Sequence, residues 1–415
     1  MPGGSPTGSV ASDAPGLRRE VSLPLLVLYG LGTTVGAGIY ALMGEVSGSA
    51  GMRAPLAFVV SALLAGTTAI GFAELAGRLP KAAGEAVFVD HAFGRRALTA
   101  TVGGGVLAAG VVAAAAVTDA FAGYVAELTD APKWLLSVGL IVGLTALSVI
   151  GAKESVTAAA AFTIVEIGGL LLVLWAGRDS FGEVISRADE LVGPPTSLHG
   201  WSGVLGGAFL AFFAFLGFED IDSVAEETDD ARVNLPRAVL ITLGVTTLLY
   251  VTVAAISVLQ VSPERLRESD APLALIYGEA GGNRDVMAFI AALAMVNGAL
   301  VQMVMVPRVV YGLSNLGLAP RAIGAVSPRT HTPVRATLVA AATVTALTLS
   351  LDIGWLARLT SAVTMAVFVS VNASLIRIKR EDGPTTSFSV PGWVPVVGIT
   401  ASAGMFVAEI WRVVG

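Results

Sequence analysis

The stretch Gly30-Leu31-Gly32-Thr33-Thr34-Val35-Gly36-Ala37-Gly38-Ile39-Tyr40 puts four glycines within nine residues, inside an apolar run that begins at Val21. Glycine lets a helix unwind and lets a backbone approach a ligand closely. A second such place is Phe212-Phe213-Ala214-Phe215-Leu216-Gly217-Phe218-Glu219, where a glycine interrupts an apolar run and acids follow at once. Interruptions at corresponding positions of two halves point to inverted repeats with a substrate held near the bilayer midplane. Each break exposes amides from one half-helix and carbonyls from the other, so an anion and a cation can both be held without charged side chains. A zwitterion fits such a site.

Composition supplies the membrane setting. The 415 residues are 54% hydrophobic and 13% charged, with a mean hydropathy of +0.78. That leaves too little polar surface to coat soluble domains of this size, whereas lipid accepts apolar surface directly. Apolar stretches near the roughly 20-residue spanning length fall at about 22–45, 55–78, 98–126, 134–150, 157–176, 201–226, 236–260, 286–312, 335–351, 354–376 and 392–411. These eleven stretches group five, five and one. The expectation is an all-α membrane protein with a first repeat over 21–176, an extracellular connection over 177–200, a second, inverted repeat over 201–376, and a C-terminal span and tail over 377–415. Spans 1 and 6 are expected to be discontinuous.

Residues 1–20, rich in Gly, Ser, Pro and Ala, are expected to form a disordered tail. The run from Val21 lacks the short core and small-residue cleavage site of a signal peptide. With the N-terminus inside, fifteen Lys and Arg fall in inner connections and eight in outer ones, which favours a cytoplasmic N-terminus in a multi-pass protein of the cell membrane.

Several function classes drop out. No basic block of the kind nucleic-acid binding needs is present. Cysteine is absent, which removes disulfides, thiolate metal sites and cysteine nucleophiles. His91, His199 and His331 all fall in connections, so a membrane-buried metal site or histidine relay has no material. No zinc motif, serine elbow or phosphate loop occurs, which argues against an enzyme, and no catalytic residue or cofactor is assigned. A dinucleotide fingerprint fails because Val35 stands where its third glycine belongs. A channel would not need two interrupted helices in repeat register. Glycines also serve close helix packing. That reading is preferred for Gly103-Gly104-Gly105, whereas repeat position favours breaks at Gly36 and Gly217.

At these residues the chain resembles the amino acid-polyamine-organocation superfamily of secondary transporters, over nearly all of its length after residue 20. The motifs that carry the resemblance are Val35-Gly36-Ala37-Gly38-Ile39-Tyr40, Phe72-Ala73-Glu74-Leu75 with Pro80-Lys81-Ala82-Ala83-Gly84, Phe212 to Phe218 with Ala225-Glu226-Glu227 and Leu235-Pro236-Arg237-Ala238, and Arg308-Val309-Val310-Tyr311 with Leu318-Ala319-Pro320. The resemblance implies two inverted five-helix repeats. It further implies that a substrate carboxylate meets backbone amides around Gly36, Ala37 and Gly38, and that the amine meets carbonyls of Phe213, Ala214 and Leu216. Phe213 falls where relatives place an aromatic that closes over the substrate, and Glu219 where some carry a gating acid. Two departures stand out: a twelfth span common in relatives is missing, and the usual Gly-Gly-x-Tyr after the second span is Gly84-Glu85-Ala86-Val87. Nothing here indicates an oligomeric state.

Ionisable groups within spans are expensive and are functional candidates. Glu166 sits near the middle of the fifth span, about nine residues or roughly 14 Å from either end. Proton-coupled relatives often carry a lysine at a similar position; a carboxylate there can carry a proton, bind a cation or pair with another charge. Asp119, toward the outer end of the third span, is a secondary candidate for substrate selection and can equally reach water. Glu219, Asp220 and Asp222 crowd the first turn after Gly217, where acids complement a helix dipole even without function. Arg308 can snorkel from the eighth span. Met287 to Tyr311 contains no Ser or Thr, although Asn297 and Gln302 offer amide oxygens, so the oxygen ligands a sodium ion needs are scarce. The expected function is therefore a permease for an amino acid or related amine, working by alternating access and driven by protons. The alternatives are an exchanger or a sodium symporter and, more distantly, a membrane-embedded enzyme or a channel. The apolar phenylalanines favour a neutral substrate and the extra acids a cationic one.

Overall fold

The computed structural model describes residues 21–79, 84–150, 156–330, 332–383 and 388–414. The expected disordered tail lies outside the described residues, as do Pro80 to Ala83 of one resemblance motif. Among the described residues there is no β-strand, only an isolated bridge between Val21 and Thr228.

Eleven apolar helices occupy the expected stretches: α1 (Leu23–Ala50), α2 (Ala54–Arg78), α3 (Arg96–Ala126), α4 (Lys133–Ile150), α5 (Val156–Ala176), α6 (Leu198–Phe215), α7 (Ala231–Gln260), α8 (Arg284–Asn315), α9 (Val334–Ser350), α10 (Ile353–Asp382) and α11 (Trp393–Val414). Most pass alone as membrane-spanning by length and apolarity; α5 passes only with the bent segment after it, and α9, at 17 residues, is a shorter apolar helix. Helices of this kind satisfy their own backbone, which is the condition for crossing lipid.

The packing has the symmetry of a duplicated unit. α1 lies on α6, α2 on α7, α3 on α8 and α4 on α9. Cross-contacts also come in pairs related by a shift of five helices: α1 on α7 with α2 on α6, α3 on α10 with α5 on α8, and α1 on α5 with α6 on α10. Two five-helix sets facing each other produce this pattern, and α11 packs outside it against α10, α2 and α6.

Buried charges fasten α10 at both ends. Near its start Arg358 pairs with Glu409 of α11, which also binds Arg412. Near its end Lys379 pairs at 2.8 Å with Glu74 of α2, and the same carboxylate takes Arg78 at 2.7 Å and the Val390 N–H at 2.8 Å. Removing one partner of such a buried pair costs about 3–5 kcal/mol.

The first span departs from expectation. α1 is one helix from Leu23 to Ala50, with no interruption at Gly36, so of the two expected breaks only the one in the sixth span is present. The physical reason lies opposite the glycines. A Cβ on Gly38 would collide with the backbone of Ala214, one on Gly30 with Ile221, and one on Gly44 with the Leu266 carbonyl. These glycines bring α1 against its neighbours, the small-residue role that the repeat argument had set aside. Gly38→Ala should therefore lower stability by about 1–3 kcal/mol, whereas Gly143→Ala, which meets open space, should lose nothing. Melting of the detergent-purified variants distinguishes the two, and equal midpoints would refute the packing role.

Candidate functional site

The sixth span breaks because α6 ends at Phe215, Leu216 is extended, and Gly217 has φ 113°. That backbone region favours glycine, and a Cβ there would also run into the Thr33 carbonyl. A short 3₁₀ segment, Phe218–Glu227, continues the chain. The loose ends of the break are satisfied locally. The Gly217 N–H donates to Glu219 Oε2 at 2.9 Å, Thr33 Oγ1 donates to the Gly217 carbonyl at 2.8 Å, and the Leu216 N–H donates to the Phe213 carbonyl at 3.2 Å.

A cavity of about 660 Å³ opens beside this break. Ala37 and Gly38 of α1, Phe213 near the end of α6, Leu216 just beyond it and Gly298 of α8 lie on its wall, which also includes Gly84 and Asn315. Its size suits a small organic ligand. The opposite end of α1 is covered. Leu266, in the short helix Pro263–Glu268, overlies Gly44. Tyr124 donates to the Tyr40 carbonyl at 2.8 Å and accepts the Leu273 N–H at 3.2 Å, joining α3, α1 and the cover. The cavity thus reaches the ends of α2 and α8 near Gly84 and Asn315, while the opposite end of α1 is covered.

Behind α1, away from the cavity wall, lies Glu166. It is buried, its Oε1 accepts from Asn297 Nδ2 at 3.0 Å, and its Oε2 has no partner among the described residues. Gly36 packs against this carboxylate, since a Cβ there would stand 3.7 Å from Oε1. Tyr40 donates to the Glu166 backbone carbonyl and Thr163 to that of Leu28. Tyr250 of α7 reaches between the two half-bundles, its hydroxyl 2.8 Å from the Thr34 carbonyl and 2.9 Å from that of Ala214.

Of the residues singled out in the sequence, Ala37, Gly38, Phe213, Leu216 and Glu219 come together around the cavity. Gly36 faces Glu166 instead, and the Ala214 carbonyl is taken by Tyr250. Because α1 is unbroken, the amides of Gly36, Ala37 and Gly38 belong to a helix ladder and are not bared toward a ligand. Asp119 stands outside the cavity wall, with Lys133, Asp270 and Asp352 as its charged neighbours. Sequence reasoning missed three things. Thr34 lines the cavity with a buried hydroxyl that has no partner among the described residues. Tyr250 bridges α1 and α6; an isolated tyrosine in an apolar run was the available sign. Glu85, passed over as a departure from the family motif, is buried in the cavity wall, where desolvation pushes its carboxyl above the usual range.

An all-helical, multi-pass bundle with a broken helix beside a deep cavity defines a membrane transporter. The chain belongs to the amino acid permease family, whose pattern matches residues 23–411. It is 30% identical over 388 residues to an uncharacterized transporter of Mycobacterium tuberculosis (strain ATCC 25618 / H37Rv), covering 92% of this chain and 84% of the relative. It is also 30% identical over 411 residues to the branched-chain amino acid permease BcaP of Bacillus subtilis (strain 168), covering 92% and 85%. To the cationic amino acid transporter 4 of Homo sapiens it is 27% identical over 395 residues, covering 89% of this chain and 61% of that one. The family and these relatives are transporters, so the chain is a permease and not an enzyme.

Tyr250→Phe removes the hydroxyl that serves two buried carbonyls. It should cost about 1–3 kcal/mol and weaken ligand-induced stabilisation as α1 and α6 loosen. A variant that melts and responds to ligand like the parent would show that the bridge is incidental.

Proposed function

We propose that this permease moves an amino acid or related amine across the cell membrane by alternating access, coupled to protons, with its N-terminus in the cytoplasm. The substrate site is the part of the cavity where Ala37, Gly38, Phe213 and Leu216 converge. Its ammonium group meets the carbonyls of Phe213 and Leu216 at the end of α6, the Phe213 oxygen using the lone pair not engaged by the Leu216 N–H. Its carboxylate meets the Thr34 hydroxyl, a buried donor with no protein partner among the described residues. Phe213, beside the break, closes over the bound molecule, and Glu219, which ties down the Gly217 amide, gates the passage.

The observation that carries the coupling is the half-satisfied carboxyl of Glu166 against Gly36. A buried ionisable group in a span calls for a function or a partner, and among the described residues the side chain of this one is bonded by the Asn297 amide alone. It touches α1 and α8 at once, so a shift of either changes its surroundings, which is what loading and unloading a proton requires. Sodium is disfavoured because α8 offers no hydroxyl between Met287 and Tyr311, which leaves few oxygen ligands for a hard cation.

Reconstituted in liposomes without sodium, the wild type should accumulate labelled amino acid when the pH gradient is imposed. Glu166→Gln, which keeps the bond to Asn297, should lose accumulation against a gradient while still exchanging internal for external substrate. Strict sodium dependence, or a fully proton-driven variant, would overturn the coupling; absence of any amino acid exchange would overturn the function itself.

A further inference from the structure

The cavity is acidic. Among the described residues its lining holds four acidic side chains, Glu85, Glu219, Asp220 and Asp222, and one guanidinium, Arg308. Three of the acids come from the segment after the break, and the fourth from the short helix Gly84–Phe93 that follows α2. Glu85 and Asp222 are 9% and 5% exposed, so both are deeply buried and both still line the cavity. Glu219 has a backbone partner in the Gly217 N–H. Asp222 Oδ2 has none among the described residues. Neither Glu85 nor Asp222 takes part in any described salt bridge.

Buried carboxylates without a counter-charge are costly, and a positively charged occupant of the cavity relieves that cost. The described residues do not group into a metal-binding cluster, so the chemistry favours an organic ammonium over a metal ion. Three of the acids follow the α6 break directly along the chain. In a 3₁₀ segment rising about 2.0 Å per residue, Asp222 stands about 6 Å along the axis beyond Glu219. Leu216 and Gly217, which precede these acids, also line the cavity and offer an apolar surface that suits a methylene chain.

We infer that Glu85 and Asp222 form a subsite for a second ammonium group, so that the permease selects amino acids or amines carrying a positive charge at the end of an aliphatic chain. This rests on the substrate site proposed above. In this arrangement the α-ammonium sits at the carbonyl end of α6, the chain runs along Leu216, and the distal ammonium lies between the two carboxylates. Arg308 is the cationic side chain among the described lining residues.

Lysine and norleucine differ by that distal ammonium alone, so their ratio reads the subsite. Binding to the purified protein, followed by competition against a labelled amino acid, should favour lysine over norleucine at least tenfold. Glu85→Gln and Asp222→Asn should each reduce that ratio at least fivefold, and Glu85→Asp should largely keep it. A structural role would weaken both ligands in parallel and leave the ratio unchanged, which would overturn the assignment. Norleucine binding as tightly as lysine to the wild type would overturn it whatever the variants do. Norleucine exchange without lysine preference would leave the proposed function standing, whereas exchange of neither would remove both readings.

Discussion

Everything in the site depends on how closely α1 and α6 approach each other. Gly38 has no side chain because Ala214 stands in that space. The hydroxyl of Tyr250 reaches the Thr34 carbonyl on one helix and the Ala214 carbonyl on the other. Nothing in the hydrocarbon core can replace that proton donor. The contact fixes where the α6 break falls relative to α1: Thr33 then reaches the Gly217 carbonyl, and Gly217 has no choice but to be glycine. The cavity begins where this contact ends.

From that contact outward the two ends of the bundle differ. At the tight end Tyr124 and the cover over Gly44 hold α1 down. At the other end the cavity lining reaches Gly84 and Asn315. α10 is clamped at both of its ends by buried ion pairs. Alternating access in such a molecule would exchange which end is tight. Glu166 lies behind α1 and is tied to α8 through Asn297.

The helices were legible because lipid demands about 20 apolar residues per crossing, and that demand is written along the chain without reference to anything distant. The Gly217 break was legible for a similar local reason, since an apolar run that meets a glycine and then acids cannot continue as a lipid-facing helix. The Gly36 region was not. Dense glycine has two meanings, unwinding and close approach, and only the groups opposite, Ala214 and Glu166, decide between them. Asp119 likewise stood out by its depth, yet the cavity passes it by. Glu85 failed in the other direction, because a motif departure in a connection gives no hint that the short helix Gly84–Phe93 brings it against Asp222.

The central claim is that the cavity beside the α6 break is where the substrate sits. The chain contains no cysteine, so a single one introduced at Ala109, on the cavity wall, reports on that space alone. In membrane vesicles, a membrane-impermeant thiol reagent should label Ala109→Cys from the side at which Gly84 and Asn315 lie, and a transported amino acid should slow the labelling in proportion to its occupancy. Labelling that proceeds at the same rate with saturating substrate, or only from the opposite side, would contradict the account.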